Sequence, residues 1–193
     1  MDLYIFNISW MAFNIYLALL PVIFSLYLFE MPYKLISWIA GIIWFLYLPN
    51  TIYVFTDLHH LIEQWSYVDN VGKIILLVQY TILEIVGLSC YLLAFYPVEI
   101  ILGRIKFLKK YSLQMVILLN IFIGLIMSLG KFERVNSWDI FVNPQFLLSS
   151  TLNFLQSYEM LAFGIFFGLF ANFFYFLFRD KMKALYESQL LPK

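Results

Sequence analysis

The sequence predicts an all-α integral membrane protein: a bundle of about five transmembrane helices, N-terminus outside and C-terminus cytoplasmic. Three observations predict it. Apolar residues make up 63% of the 193-residue chain and charged residues only 12%, with a mean hydropathy of +0.85, whereas soluble domains carry about 25% charged residues. The charges fall in short clusters between long apolar runs, and Leu3 to Phe29 is 27 residues without one, against the roughly 20 that a helix needs to cross the hydrocarbon core. The basic residues are unevenly shared between alternate connections, which sets the orientation.

The first apolar run covers roughly 4–29 and contains Pro21, which is expected to kink it; membrane helices tolerate this when neighbours satisfy the freed carbonyl. The others cover roughly 35–55, 72–96, 111–130 and 155–178, with ends good to a few residues. The whole chain, residues 1–193, is read as one transmembrane helical domain. Asp2, the length of the first run and the lack of a small-residue cleavage pattern argue for a retained helix rather than a cleaved signal peptide. Numbering the connections alternately, one side receives nine basic residues: Lys34, Arg104, Lys106, Lys109, Lys110, Arg179, Lys181, Lys183 and Lys193. The other receives three, Lys73, Lys131 and Arg134. The basic-rich side is cytoplasmic by the positive-inside rule, and Arg104–Lys110 reads as a topology anchor near anionic headgroups.

Ile140–Asn153 is too polar and too short to cross, and is expected at the outer interface or in a shallow re-entrant turn. An odd number of spans does not support an inverted-repeat transporter. Gly164-x-x-x-Gly168 with Ala171 in the fifth run, and Gly124-x-x-x-Ser128 in the fourth, offer a close-packed helix seam. Zero net charge and the lack of a basic arm exclude nucleic acid as a partner, and the single Cys90 allows no internal disulfide. No nucleotide loop, dinucleotide fingerprint or nucleophile elbow occurs, which disfavours ATP, nicotinamide and acyl-enzyme chemistry.

Polar residues that are not topology anchors gather in two blocks, both expected at the outer face. The first is Leu48-Pro49-Asn50-Thr51, then Thr56-Asp57-Leu58-His59-His60-Leu61 and Glu63. The second runs from Leu129 to Asp139 and contains Lys131, Glu133, Arg134, Asn136, Ser137 and Trp138. Convergence of the two into one site is geometrically easy. Pro49 should break the second span, with Asn50 capping the helical stretch beyond the break and Thr56 N-capping a short helix. On that helix Asp57, His60 and Glu63 lie three apart in turn, and His59 and Glu63 four apart, so each pair shares a face. His59, His60 and Glu63 suit a zinc-like divalent metal, with Asp139 or Glu133 available to complete the set. The competing reading is an ion-pair network in which Asp57 holds Arg134 and Asp139 holds His60 or Lys131.

Arg134 and Lys131 suit a phosphate or carboxylate, joined by Asn136 and by Trp138, which reads equally as an interfacial belt residue. Asp57, His60 and Asp139 are the candidates for catalysis. Glu84 lies near the middle of the third span, where a carboxylate is expected to be protonated or hydrogen-bonded to another span. Glu159 opens the fifth span close to the outer site. Asn120 and Asn172 read as hydrogen-bonding contacts between helices.

The leucine-proline-asparagine block with Thr-Asp-Leu-x-His-Leu, followed by Leu-Gly-Lys-Phe-x-Arg-x-Asn-Ser-Trp-Asp, resembles the signature pair of a family of bacterial multi-pass membrane proteins of unknown function. The matching stretches are Leu48–Leu61 and Leu129–Asp139. The resemblance implies a multi-pass fold in a bacterial plasma membrane and brings no activity with it. Three functions fit the residues. One is an outer-leaflet hydrolase or transferase acting on an anionic lipid or envelope precursor. Another is an oligomeric transport or channel component using Glu84. The third is a non-catalytic scaffold docking another membrane protein or a second copy.

Overall fold

The computed structural model describes residues 3–30 and 34–189. Every regular element among them is helical. Helix α1 spans Leu3–Glu30 and runs through Pro21 without interruption. Next come α2 (Lys34–Tyr47), α3 (Pro49–Tyr53) and α4 (Leu58–Gln64), joined by a 3₁₀ turn at Val54–Asp57 and followed by another at Trp65–Tyr67. Helix α5 is Asn70–Arg104, α6 Ser112–Glu133, α7 Asp139–Val142, α8 Pro144–Gln156 and α9 Tyr158–Gln189. Among the described residues, five stretches are long and apolar enough to cross a membrane: Leu3–Tyr27, Leu35–Tyr67, Asn70–Arg104, Lys109–Glu133 and Tyr158–Tyr186. The fold is an all-α membrane bundle of five spans, as expected.

Two boundaries differ from the sequence reading. Hydropathy ends the second span near residue 55, but its 33 residues continue to Tyr67. At 1.5 Å per residue its helical segments sum to about 50 Å, more than the roughly 30 Å of a hydrocarbon core. The third span runs to Arg104 rather than 96, through Pro97 and past Glu99. Asp69 caps its start, accepting from the Gly72 amide at 2.9 Å. The segment expected at the interface forms the short helices α7 and α8. Asn143 caps α8 by accepting from Phe146 N, with Pro144 in its first turn. Thirteen residues make about 20 Å of helix, too short to span, and Leu148, Leu152 and Leu155 are exposed on its outer side.

The helices pack mainly as α1 against α2 and α5, and α6 against α9. The α6–α9 contact is the small-residue seam. A Cβ placed on Gly124 would lie 2.3 Å from the Gly164 carbonyl oxygen and 2.5 Å from Gly168 N, and one on Gly168 2.5 Å from Ile121 Cα. Ser128 Oγ donates to Met160 O at 2.7 Å, and Ala171 is buried. Small residues bring the two backbones into contact, which is how helices associate where lipid removes the hydrophobic drive.

Polar groups inside the bundle are paired across helices. Tyr91 OH donates to Asn120 Oδ1 at 2.7 Å and also reaches Ala171 O at 3.2 Å. Asn120 Nδ2 donates to Asn172 Oδ1 at 3.0 Å, and Asn172 Nδ2 to Ile117 O and Gly168 O. The contact role expected for both asparagines is therefore observed, tying α5, α6 and α9 together. Nearer the far end of α5, Arg179 Nε donates to Glu99 Oε1 and Oε2 at 2.9 and 3.0 Å, with Tyr175 OH donating to the same carboxylate. Arg179, read as a topology anchor, is thus also half of an ion pair between α5 and α9.

Candidate functional site: a polar cavity at one end of the bundle

The site begins with what Pro49 does to the second span. Without an amide proton, proline cannot bond the carbonyl four residues back, and the turn around it loosens. Leu48 still donates to Trp44 O at 2.9 Å, but Thr51 N reaches only three residues back, to Leu48 O at 3.1 Å. Side chains take up neighbouring carbonyls. Asn50 Nδ2 donates to Tyr47 O at 3.1 Å, Thr51 Oγ1 to Leu48 O at 2.7 Å, and Ser137 Oγ to Leu46 O at 2.6 Å. Non-helical backbone at membrane depth persists only where such partners exist. Ser137 belongs to the second polar block, so that block is joined here, across 91 positions of sequence, to the helix that leads into the first.

Two local expectations are corrected. Asn50 does not cap a following helix but donates backwards. Thr56 does not N-cap α4 either: its Oγ1 donates to Tyr53 O at 2.7 Å. The reason is that the backbone stays helical through Tyr53, Asp57 and Leu58, so no extended cap position is formed there.

Both blocks line one cavity of about 1260 Å³. Asn50, Tyr53, Thr56, His59 and His60 come from the first block and its surroundings, and Lys131, Arg134, Asn136, Ser137 and Trp138 from the second. Phe13, Asn14 and Leu17 of α1, and Phe163 and Phe167 of α9, supply further wall, largely apolar. Lys131 Nζ sits over the Tyr53 ring, 5.4 Å from its centroid. Arg134 ends α6 in the left-handed conformation, φ 56°. It is the only non-glycine residue with positive φ among those described, and the residues that follow it, Val135 to Trp138, line the cavity. Left-handed backbone is costly for a residue with a Cβ.

The remaining expected site residues divide. Asp57 is 3% exposed and lies behind the wall rather than on it, accepting from Asn14 Nδ2 at 2.7 Å, with Lys131 and His60 within electrostatic reach. No ion pair joins Asp57 to Arg134 among the described residues, so the expected network does not form with those partners. Asp139 closes its own turn, Oδ2 accepting from Asn136 N at 2.6 Å, and does not line the cavity. Of the three catalytic candidates, only His60 lines it. His59, His60 and Glu63 do come together: Glu63 Oε2 is 3.0 Å from His60 Nδ1 and Oε1 is 3.4 Å from His59 Nε2. Glu159 is exposed in the first turn of α9, away from the cavity-lining set. Glu84 lies elsewhere on α5, and its two carboxyl oxygens are buried with no hydrogen-bond partner among the described residues.

Sequence reasoning missed three contributions from α1. Asn14 holds Asp57, and Asn7 exchanges two hydrogen bonds with Gln64, at 2.7 and 3.1 Å, while Trp10 Nε1 donates to Asn7 Oδ1 at 3.1 Å. A signal for them exists: residues 7, 10 and 14 lie three and four apart, on one helix face, inside an otherwise apolar run.

Residues 13–174 match the family described as Protein of unknown function (DUF1361), most of the chain and both polar blocks included. The chain belongs to DUF1361. No curated protein and no solved structure matches it. For this DUF1361 chain, then, chemistry must be read from the cavity itself: two cationic side chains, two imidazoles and amides set into an aromatic and aliphatic wall.

Proposed function

We propose that the cavity binds the phosphate-bearing headgroup of an anionic lipid or lipid-linked envelope precursor at the extracytoplasmic face of a bacterial plasma membrane. The nine-to-three distribution of basic residues supports an outward-facing cavity and an external N-terminus. One observation carries the reading. Lys131 and Arg134 share a largely apolar cavity and neither is held in an ion pair among the described residues. The carboxylate within electrostatic reach of Lys131, Asp57, is buried and already bonded by Asn14. Arg134 therefore keeps its planar fork for a phosphate oxygen pair, and Lys131 adds a point charge. The volume, about 1260 Å³, exceeds the roughly 300–1,000 Å³ of drug-sized sites and leaves room for glycerol and the upper acyl carbons against Phe13, Phe163 and Phe167. If the bound group is also hydrolysed or transferred, His60 is the catalytic candidate on the cavity wall, as a base only while it holds no metal.

The test is lipid retention by purified protein. Phosphatidylglycerol, added in detergent, should bind at least tenfold more tightly than phosphatidylcholine, a difference of about 1.4 kcal/mol. Arg134→Gln and Lys131→Gln should each erase most of that preference while the elution volume stays unchanged. Equal binding of both lipids by the unmodified protein refutes the reading.

A second reading rests on Glu84. Two buried, unpartnered carboxyl oxygens on a spanning helix favour an ion- or proton-carrying role in an oligomer. Flux in proteoliposomes that vanishes in Glu84→Gln supports it, and flux unchanged by that substitution removes it.

A further inference from the structure

Helix α4 projects beyond the apolar part of the second span and carries His59, His60 and Glu63 within a single turn. One potential ligand atom from each lies within 4.8 Å of the others. The side chains are 63%, 44% and 53% exposed, so none is committed to the core. His59 and His60 line the cavity and Glu63 stands outside it, which places the cluster on the cavity's rim.

The distances have the scale of a coordination sphere. A tetrahedral zinc site with bonds of about 2.0–2.2 Å to nitrogen and oxygen has ligand-to-ligand edges of about 3.4 Å. The two His-to-Glu contacts are 3.0 and 3.4 Å, one to each carboxylate oxygen of Glu63. With one ligand atom taken from each residue, the three lie within 4.8 Å of one another, and the exposed His59 and Glu63 side chains are free to draw in around an ion. Two imidazoles and one carboxylate are also the donor set that leaves a zinc ion an open position. Trp10 packs edge-on against the His60 ring, 5.7 Å between centroids, and limits its rotation. Asp57, within electrostatic reach of His60, supplies negative charge behind it. Helix-surface pairing of His with Glu gives the same distances, with the single N–H of each imidazole turned to the carboxylate; a metal takes the same nitrogens in the other tautomer.

We infer that His59, His60 and Glu63 hold a zinc-like divalent cation at the rim of the cavity, its open position turned towards the space bounded by Lys131 and Arg134. Binding of the ion stands on the cluster alone. That the open position meets a phosphate rests on the headgroup reading.

The experiment uses the full chain in detergent, stripped with a chelator and titrated with Zn²⁺ or Co²⁺ without added lipid. One ion per chain is expected, with the visible absorption of four-coordinate cobalt. His59→Ala, His60→Ala and Glu63→Ala should each weaken it by more than about a hundredfold, beyond what loss of an outer-shell partner costs. Asp180→Asn, on the exposed surface of α9, should leave it intact. Because all three ligands are exposed, the variants should keep their elution volume and helical signal. Failure to bind one ion per chain, or binding indifferent to all three substitutions, overturns the inference. The lipid measurement, repeated with chelator present, reports separately on the headgroup reading.

Discussion

Replacing Gly124 by alanine adds one methyl group at the tightest point of the α6–α9 seam. Its Cβ would stand 2.3 Å from the Gly164 carbonyl oxygen, 2.5 Å from Gly168 N and 2.8 Å from Gly168 Cα. All three are backbone atoms, so no side chain can swing aside. Raising 2.3 Å to the 3.4 Å where ordinary van der Waals contact begins requires about 1.1 Å of helix separation. A gap of that size forfeits roughly a quarter to a half of each dispersion contact along the seam. It also stretches the 2.7 Å Ser128–Met160 and 3.0 Å Asn120–Asn172 bonds past useful length. Overpacking costs about 1–3 kcal/mol and each interhelical bond about 0.6 kcal/mol, offset by about 1 kcal/mol of helix propensity gained over glycine. The net expectation is a loss of about 1–3 kcal/mol, read by circular dichroism during SDS-induced unfolding from mild detergent. Gly103→Ala is the matched control, since nothing lies within 4 Å of its added methyl, and it should unfold unchanged or slightly later. If Gly124→Ala is as stable as the parent, or Gly103→Ala loses as much, the close-packed seam is wrong.

Three other outcomes are expected. Ser137→Ala removes the donor to Leu46 O and should cost about 1–3 kcal/mol if that carbonyl is left dry; an unchanged unfolding midpoint would show that water replaces the hydroxyl. Glu99→Gln and Arg179→Gln should each cost about 1.5–3 kcal/mol, as for hydrogen bonds to charged groups, and the double change should cost clearly less than the two together, the sign of direct coupling. In a Cys90→Ser background, cysteine at the exposed Tyr67 should react with an impermeant thiol reagent from outside intact cells, and cysteine at the exposed Phe107 only after lysis. The reverse pattern would put the cavity in the cytosol and remove the envelope-lipid reading.

The range of the forces involved decides how far the residues alone reveal this molecule. The five spans are legible because burial in lipid acts on every side chain of a long run, so the signal sums over about 20 positions. The seam is legible because small residues four apart have one common use. Span ends are less so, since hydropathy falls at the first charge while the helix continues wherever that charge finds a partner. Glu99 is the example: the third apolar run ends near residue 96, just before it, yet Arg179 and Tyr175 satisfy it from α9, and α5 continues to Arg104. The meeting of the two polar blocks is legible from topology alone. Their actual joint, Ser137 to Leu46 O, is not, because a backbone carbonyl carries no sequence signature.

The polar residues in and around the cavity divide their labour. Those close to Pro49, namely Asn50, Thr51 and Ser137, direct their hydrogen-bonding capacity to backbone carbonyls. Asp57 directs its own to Asn14, and Asp139 to its own turn. A polar group already satisfied by protein gains little from a ligand, because binding then exchanges one good hydrogen bond for another. Lys131, Arg134, His59 and His60 are different: among the described residues the first two are without ion-pair partners, and the imidazoles share a single carboxylate. Holding cations facing an apolar wall without an anion of the protein's own is unfavourable in isolation, and becomes favourable once an anion with an apolar tail fills the space. On the headgroup reading proposed above, the arrangement would select for an amphipathic anion over a purely polar one. Short-chain phosphatidylglycerol should accordingly displace bound lipid at concentrations where glycerol phosphate, an anion with no tail, does not.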